Sequence, residues 1–288
     1  MQMKQIVVAT DFSEQSNSAI RHGISIARSS GAGLRFVHVV ETPADDEGLE
    51  SARPAVQHWH ADDAARLARD IEAYGTDDID VSTEIVDAPS TASGLQSVVD
   101  AHAADLAIVG STGLSGFKGA LLGSTALKVL RTVQTHVMVA RGDSPSSAGY
   151  QRILIPTDFS VPAEKALQLA VVLAAPDAQF DLVHFWRVPE ATRADEHSQL
   201  VIETVRSSVR ERGRRLLESF QDKAPNAAFQ SVQESPERGI AQKLEDGDYD
   251  LVVVGTYGRS KLRRWLLGSV AEYAARTSPC AVAVARPD

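Results

Sequence analysis

The stretch Ile6-Val7-Val8-Ala9-Thr10-Asp11-Phe12-Ser13 returns 147 residues later as Ile153-Leu154-Ile155-Pro156-Thr157-Asp158-Phe159-Ser160. Each copy is a short, nearly continuous apolar run, as expected of a strand covered on both faces, and each ends in the same Thr-Asp-Phe-Ser. Three further blocks repeat in the same order. Val37-His38-Val39 returns as Val183-His184-Phe185, Asp105–Gly110 as Asp250–Gly255, and Val137–Arg141 within Ala281–Arg286. Matched blocks in one order, far above the period of a solenoid repeat, mean that a whole domain is duplicated. The expected division is residues 1–142, a Ser/Gly/Pro-containing linker over 143–149, and residues 150–288.

Within each copy, strand and helix patterns alternate. After Ile6–Thr10, Ser13 is placed to cap a helix over Glu14–Ser29. Leu34–Val40, Val81–Val86, Leu106–Val109 and Val137–Ala140 read as strands. Ala61–Tyr74, Leu95–Ala103 and Thr125–Arg131 read as helices, and Pro43–Arg53 as a mobile segment that includes the solvated Asp45-Asp46-Glu47. The second copy reads the same way. The fold class is α/β: two tandem doubly wound domains, each a parallel sheet with helices on both faces. Ligands of such sheets bind beyond the carboxyl ends of the strands, where the strand order reverses.

Two glycine-rich segments fall at that edge. Gly110-Ser-Thr-Gly113, nine residues, then Gly123-Ser124 aligns without a gap on Gly255-Thr-Tyr-Gly258, nine residues, then Gly268-Ser269. The first glycine of each ends an apolar strand and the last opens a helix. Glycines let backbone N–H groups come close to a ligand, and a helix N-terminus adds unpaired N–H groups that suit phosphate. Two readings of Ser269 stay open, because Ser269-Val-Ala-Glu272 is also a capping-box pattern. Asp11 and Asp158 likewise read as acceptors for a base or ribose, or as caps beside Ser13 and Ser160. Between its glycines the second loop carries Arg259, Lys261, Arg263 and Arg264, whereas the first carries only Lys118 and two additional glycines, Gly116 and Gly119. The second loop is the better match for a polyphosphate.

The Thr-Asp strand end, the Val-His-Val strand, the Gly-x-x-Gly-x9-Gly-Ser loop and the closing Val-Ala-Val-Ala-Arg strand resemble the universal stress protein family in its tandem form, over nearly the whole chain. The resemblance implies five strands per domain in the order 3-2-1-4-5. In the ATP-binding branch it also implies ATP at the ends of strands 1 and 4. Carried over by position, Asp11 and Asp158 meet adenine, Val39 and Phe185 flank the base, and the glycine loops wrap ribose and phosphates. The preferred site is then Pro156, Thr157, Asp158, Phe185, Val254, Gly255, Tyr257, Gly258, Arg259, Gly268, Ser269 and Val270. The weaker one is Ala9, Thr10, Asp11, Val39, Val109, Gly110, Thr112, Gly113, Gly123, Ser124 and Thr125. The first copy also departs from the family pattern at Gln134-Thr-His136, where the second has Ser278-Pro279-Cys280.

The remaining features narrow the alternatives. Of the 288 residues 43% are hydrophobic and 23% charged, which describes a globular chain. No apolar run approaches the roughly 20 residues of a membrane span, and no secretory signal is evident. A net charge of −9 disfavours nucleic acid and anionic membrane. It falls unevenly, −8 on residues 1–149 and −1 on the rest. The single cysteine, Cys280, reads as a buried small hydrophobe and suits a reducing, cytoplasmic setting. There is no Gly-x4-Gly-Lys-Ser/Thr, and Gly31-Ala-Gly33 precedes a strand where a dinucleotide fingerprint would follow one. His58, His60 and Asp62 read as a solvated helix face, with a metal pair as the alternative. His38 and His184 read as packed strand histidines, with a place beside the ligand as theirs. No catalytic residues are expected: no Ser–His–Asp arrangement or acid/base carboxylate pair is recognisable, and the Ser-Gly-Gly-x-Asp-Ser loop of ATP pyrophosphatases is missing.

The leading expectation is a cytoplasmic stress-response regulator that binds ATP, with or without Mg, or AMP or ADP in its place. It would not be an enzyme beyond slow hydrolysis, would pair as a homodimer, and would pass its nucleotide state to an unknown protein partner. The other expectation, of a different class, is a non-nucleotide scaffold that works through domain pairing along the fifth strands, Val137–Arg141 and Ala281–Arg286.

Overall fold

The computed structural model describes residues 2–42, 53–112, 122–187, 196–257 and 267–287, with side chains for all of these except 53–59 and 196–198. The chain separates into two compact units, Met1–Gly149 and Tyr150–Asp288.

The first unit holds β1 (Gln5–Ala9), α1 (Ser16–Ser30), β2 (Gly33–Glu41), α2 (Arg53–Glu72), β3 (Val81–Ala88), α3 (Thr91–His102), β4 (Leu106–Gly110), α4 (Ser124–Thr132) and β5 (His136–Ala140). All of its strand pairs are parallel, in the order β3-β2-β1-β4-β5. The second unit holds β6 (Tyr150–Pro156), α5 (Val161–Leu173), β7 (Ala174–Phe185), α6 (Glu196–Phe220), β8 (Ala227–Val232), α7 (Pro236–Asp246), β9 (Leu251–Gly255), α8 (Ser269–Thr277) and β10 (Ala281–Ala285). It repeats the order as β8-β7-β6-β9-β10, again parallel. The 3-2-1-4-5 order is thus present twice. The order reverses between β1 and β4 in one unit and between β6 and β9 in the other.

Burial explains why the central strands lack a polar face. Ile6, Val7, Val8, Leu106, Ala107 and Ile108 are fully buried, as are Ile153, Leu154, Ile155, Leu251, Val252 and Val253. β3 and β8, at the ends of the order, are only partly covered, and β3 has room for Ser82, Thr83 and Glu84. The repeated Asp before the fourth strand ties that strand to the first. Asp105 accepts from the Lys4 and Gln5 N–H groups at 2.6 and 3.0 Å, and Asp250 accepts from Gln151 and Arg152 at 2.7 and 2.9 Å.

Some local boundaries differ from the sequence pattern. α1 starts at Ser16 with Gln15 in the N-cap position, where the sequence pattern put Ser13; the Ser13 hydroxyl still accepts from Ser16 N–H and closes the turn that leads into the helix. α2 starts at Arg53, eight residues before the amphipathic pattern becomes visible. The expected mobile segment, with Asp45-Asp46-Glu47, lies outside the described residues over 43–52. Residues 142–146 pack onto α1: the Ser25 hydroxyl donates to the carbonyls of Pro145 and Ser146 at 2.8 and 2.7 Å. Among the described residues no helix is long and apolar enough to cross a membrane.

Candidate functional site

At the carboxyl edge of the second sheet, between the ends of β6 and β9, lies a cavity of about 480 Å³. That falls within the roughly 300–1,000 Å³ usual for small-molecule pockets. Its walls bring together Pro156, Thr157 and Asp158 from the end of β6, Phe185 from β7, Val254 and Gly255 from β9, Tyr257, and Gly268, Ser269 and Val270 from the start of α8. Gly258 and Arg259, expected beside them, lie outside the described residues, as do Lys261, Arg263 and Arg264. Ser160, Ala163, Pro236, Leu267 and Ala271 also line the cavity and were not in the sequence-based set. Pro236 opens α7 after the outermost strand, so only the sheet topology shows that it reaches the site.

The floor is set by close approaches that only glycine allows. A Cβ on Gly255 would lie 2.7–2.8 Å from Pro162, so the start of α5 packs directly on the end of β9. α8 begins without a side-chain cap. Gly268 is the N-cap, with extended φ −69° and ψ 155°, and Ser269 is the first helical residue. The capping box is therefore not formed: Glu272, which would complete it, instead pairs with Arg276. The first-turn N–H groups thus have no side-chain cap, at a helix end where the dipole favours negative charge.

The Thr-Asp-Phe-Ser segment is a double turn. Thr157 Oγ1 accepts from Phe159 N–H at 3.1 Å, and Asp158 Oδ1 accepts from Ser160 N–H at 3.0 Å. Phe159 sits between them at φ +60°, in the left-handed region where a side chain costs about 1–3 kcal/mol. The Ser160 hydroxyl oxygen is shut off from solvent and has no hydrogen-bond partner among the described residues, although its residue lines the cavity. A buried polar atom of this kind needs a reason, and a ligand is one.

The first unit places its own set at the matching edge. Ala9, Thr10 and Asp11 end β1, Val39 is on β2, Val109, Gly110 and Thr112 end β4, and Gly123, Ser124 and Thr125 start α4, again without a side-chain cap. Gly113 lies outside the described residues. Two differences separate the units. Ser13 donates its hydroxyl to Asp11, so it is satisfied where Ser160 is not. Ser16 stands where the second unit has the small Ala163, and its hydroxyl is tied to Thr10 Oγ1 at 2.9 Å.

Beside each Asp stands a stack that sequence inspection did not find. His38 Nδ1 lies 2.9 Å from the Thr10 carbonyl oxygen, its ring 4.4 Å from that of Phe12, and the Arg66 guanidinium carbon is 4.3 Å from the Phe12 centroid. In the second unit His184 Nδ1 is 2.7 Å from the Thr157 carbonyl oxygen, with rings of Phe159 and His184 at 4.9 Å and Arg212 at 4.8 Å. Both histidines are thus strand residues that brace the backbone. Elsewhere, His60 Nε2 lies 3.0 Å from Asp87, while His58 is outside the described side chains. Among the described residues no cluster is arranged to hold a metal. Cys280 is buried beside Ser278, as its surroundings in the sequence imply.

Known proteins share this architecture. The universal stress protein family profile matches residues 3–141 and 149–286. A universal stress protein of Mycolicibacterium smegmatis is 27% identical over 98% of this chain and 97% of its own length. The universal stress protein Rv2623 of Mycobacterium tuberculosis is 28% identical over 98% and 96%. Among solved structures, a universal stress protein from Archaeoglobus fulgidus covers 99% of both chains with a TM-score of 0.71 at 20% identity. At that identity it supports the fold alone. With both halves matched by one family, the chain belongs to the universal stress protein family and carries two of its domains in one polypeptide.

Proposed function

We propose that this protein regulates a stress response by binding ATP in the cavity of its second unit. The observation that carries the reading is the cavity at the β6/β9 switch point, lined by an uncapped helix start and by Ser160, whose hydroxyl is buried without a partner among the described residues. In this reading Phe185, Pro236 and Val254 hold the base and Asp158 accepts from it or from the ribose. Gly268, Ser269 and Val270 present N–H groups to the phosphates. Ser160 supplies one further donor. The sequence of the intervening loop, with Arg259, Lys261, Arg263 and Arg264, supplies charge for a triphosphate of about −4.

The first site, from Asp11 to Ser124, is the weaker of the two. Mg, with AMP or ADP as alternatives to ATP, belongs to the same proposal, as do a cytoplasmic location, a homodimer and a protein partner that reads the nucleotide state. At most slow hydrolysis belongs to the same proposal; Asp158 is the sole carboxylate among the described lining residues and accepts the Ser160 N–H. Native mass spectrometry tests the reading: one adenine nucleotide per chain should be retained first, and a second only at higher concentration. A chain that takes up no adenine nucleotide would contradict it.

A further inference from the structure

The left-handed phenylalanine next to the cavity aspartate occurs in both units, and in both an arginine from a distant helix lies over its ring. A large side chain stays in that backbone region only where its surroundings hold it there. In the second unit four groups do so. Thr157 Oγ1 fixes the Phe159 N–H, and His184 bonds the Thr157 carbonyl and packs on the Phe159 ring. Phe229 of β8 contacts the same ring at 5.9 Å, and Arg212 of α6 covers it. α6 is itself seated tightly at this point. Gly213, next to Arg212, leaves no space for a Cβ because the Phe229 ring fills it, whereas the first unit has Leu67 and Thr83 at the matching positions.

The direction of Asp158 depends on this arrangement, because Asp158 and Phe159 share one peptide plane and Asp158 Oδ1 is bonded to the residue after Phe159. We infer that Arg212 is a positioning residue for Asp158, acting through the Phe159 ring, so that the seating of α6 and the occupancy of the cavity are coupled. The inference rests on the ATP reading above for its ligand and on the stack for its mechanism. Coupling of this kind is reciprocal: a ligand that fixes Asp158 also holds α6 in place, which gives a route from the cavity to the outer surface of the unit. It needs no movement of the sheet.

An exposed cation over an aromatic ring is a modest interaction, so its loss should change equilibria by about two- to fivefold. The test uses hydrogen exchange and calorimetry on the full chain. Without nucleotide, Arg212→Ala should speed exchange two- to fivefold in peptides spanning 157–160, and Arg212→Lys should restore most of the protection. Alanine is a strong helix former, so α6 itself should keep its helicity. With ATP, Arg212→Ala should weaken binding by about the same factor. In a Phe159→Gly background, which accepts the left-handed backbone without the ring, the same change should have no further effect.

Unchanged exchange at 157–160 and unchanged affinity in Arg212→Ala, in a protein where Asp158→Ala abolishes ATP binding, would overturn the positioning role alone. ATP binding by Asp158→Ala equal to that of the unaltered chain, with the exchange effect intact, would overturn the site and the coupling with it.

Discussion

Gly239 in the first turns of α7 lies against the ring of Phe185 with no room between them for a methyl group. Phe185 lines the cavity, so the contact fixes the position of one cavity wall. The first unit has the same arrangement with a smaller side chain: a Cβ on Gly94 would meet Val39 at 2.7 Å. Gly239→Ala should cost about 1–3 kcal/mol through overpacking. Adding Phe185→Ala, which clears the space that valine would still fill, should make the combined loss smaller than the sum of the two single losses. Urea midpoints of the single and double variants give the comparison; two additive losses would show that the contact is not what matters there.

Ser160→Ala should have opposite effects on stability and on binding. Its hydroxyl is buried without a partner, so removing it should leave stability unchanged or raise it slightly. ATP binding should weaken, by up to about tenfold, if that hydroxyl serves the ligand. The matching Ser13→Ala removes a satisfied hydrogen bond and should lower stability by about 1 kcal/mol. Thermal melts with and without ATP separate the two serines.

His22 on α1 is fully buried, and that burial holds its imidazole at a pKa of about 4 in place of the usual 6.5, despite backbone hydrogen bonds to residues 141 and 142. Below pH 6.5 the unfolded chain takes up a proton that the folded chain refuses until about pH 4. Stability should therefore fall across that window, by up to about 3 kcal/mol, and level off below it. His22→Leu should lose that much less between neutral pH and pH 4. Parallel losses in both proteins would remove His22 from the account.

Asp105→Ala and Asp250→Ala each leave two first-strand N–H groups without their carboxylate. Each should cost about 2 kcal/mol, and each should act on its own unit. Chemical unfolding with fluorescence and hydrogen-exchange readouts distinguishes the units. A loss shared equally between both would contradict independent roles.

The fold was legible because its evidence is periodic and repeated. Apolar strands such as Ile6–Ala9 and Leu251–Val254 have no polar face, and the two copies carry the same blocks in the same order. That Asp158, Gly255 and Gly268 meet at one edge was legible to the same degree, since they sit at strand and helix ends that the topology brings together. What the sequence hid is tertiary. Arg66 and Phe12 are far apart in the chain, and nothing local distinguishes Arg66 from other surface cations on α2. The Ser269–Glu272 pattern misled because a glycine just before it adopts the cap conformation itself, which moves the serine into the helix. Ser160 does occupy the N-cap position of α5, but its side chain makes no cap hydrogen bond, and only its burial without a partner among the described residues marks it as a candidate contact.

The most direct test of the account is ATP calorimetry on the full chain with paired variants of the two sites. Asp158→Ala and Gly268→Val should each remove the tighter binding event, Gly268→Val because its side chain would crowd the backbone of Thr256 and Tyr257. Asp11→Ala and Gly123→Val should leave that event in place. ATP affinity unchanged by both second-unit variants would contradict the account.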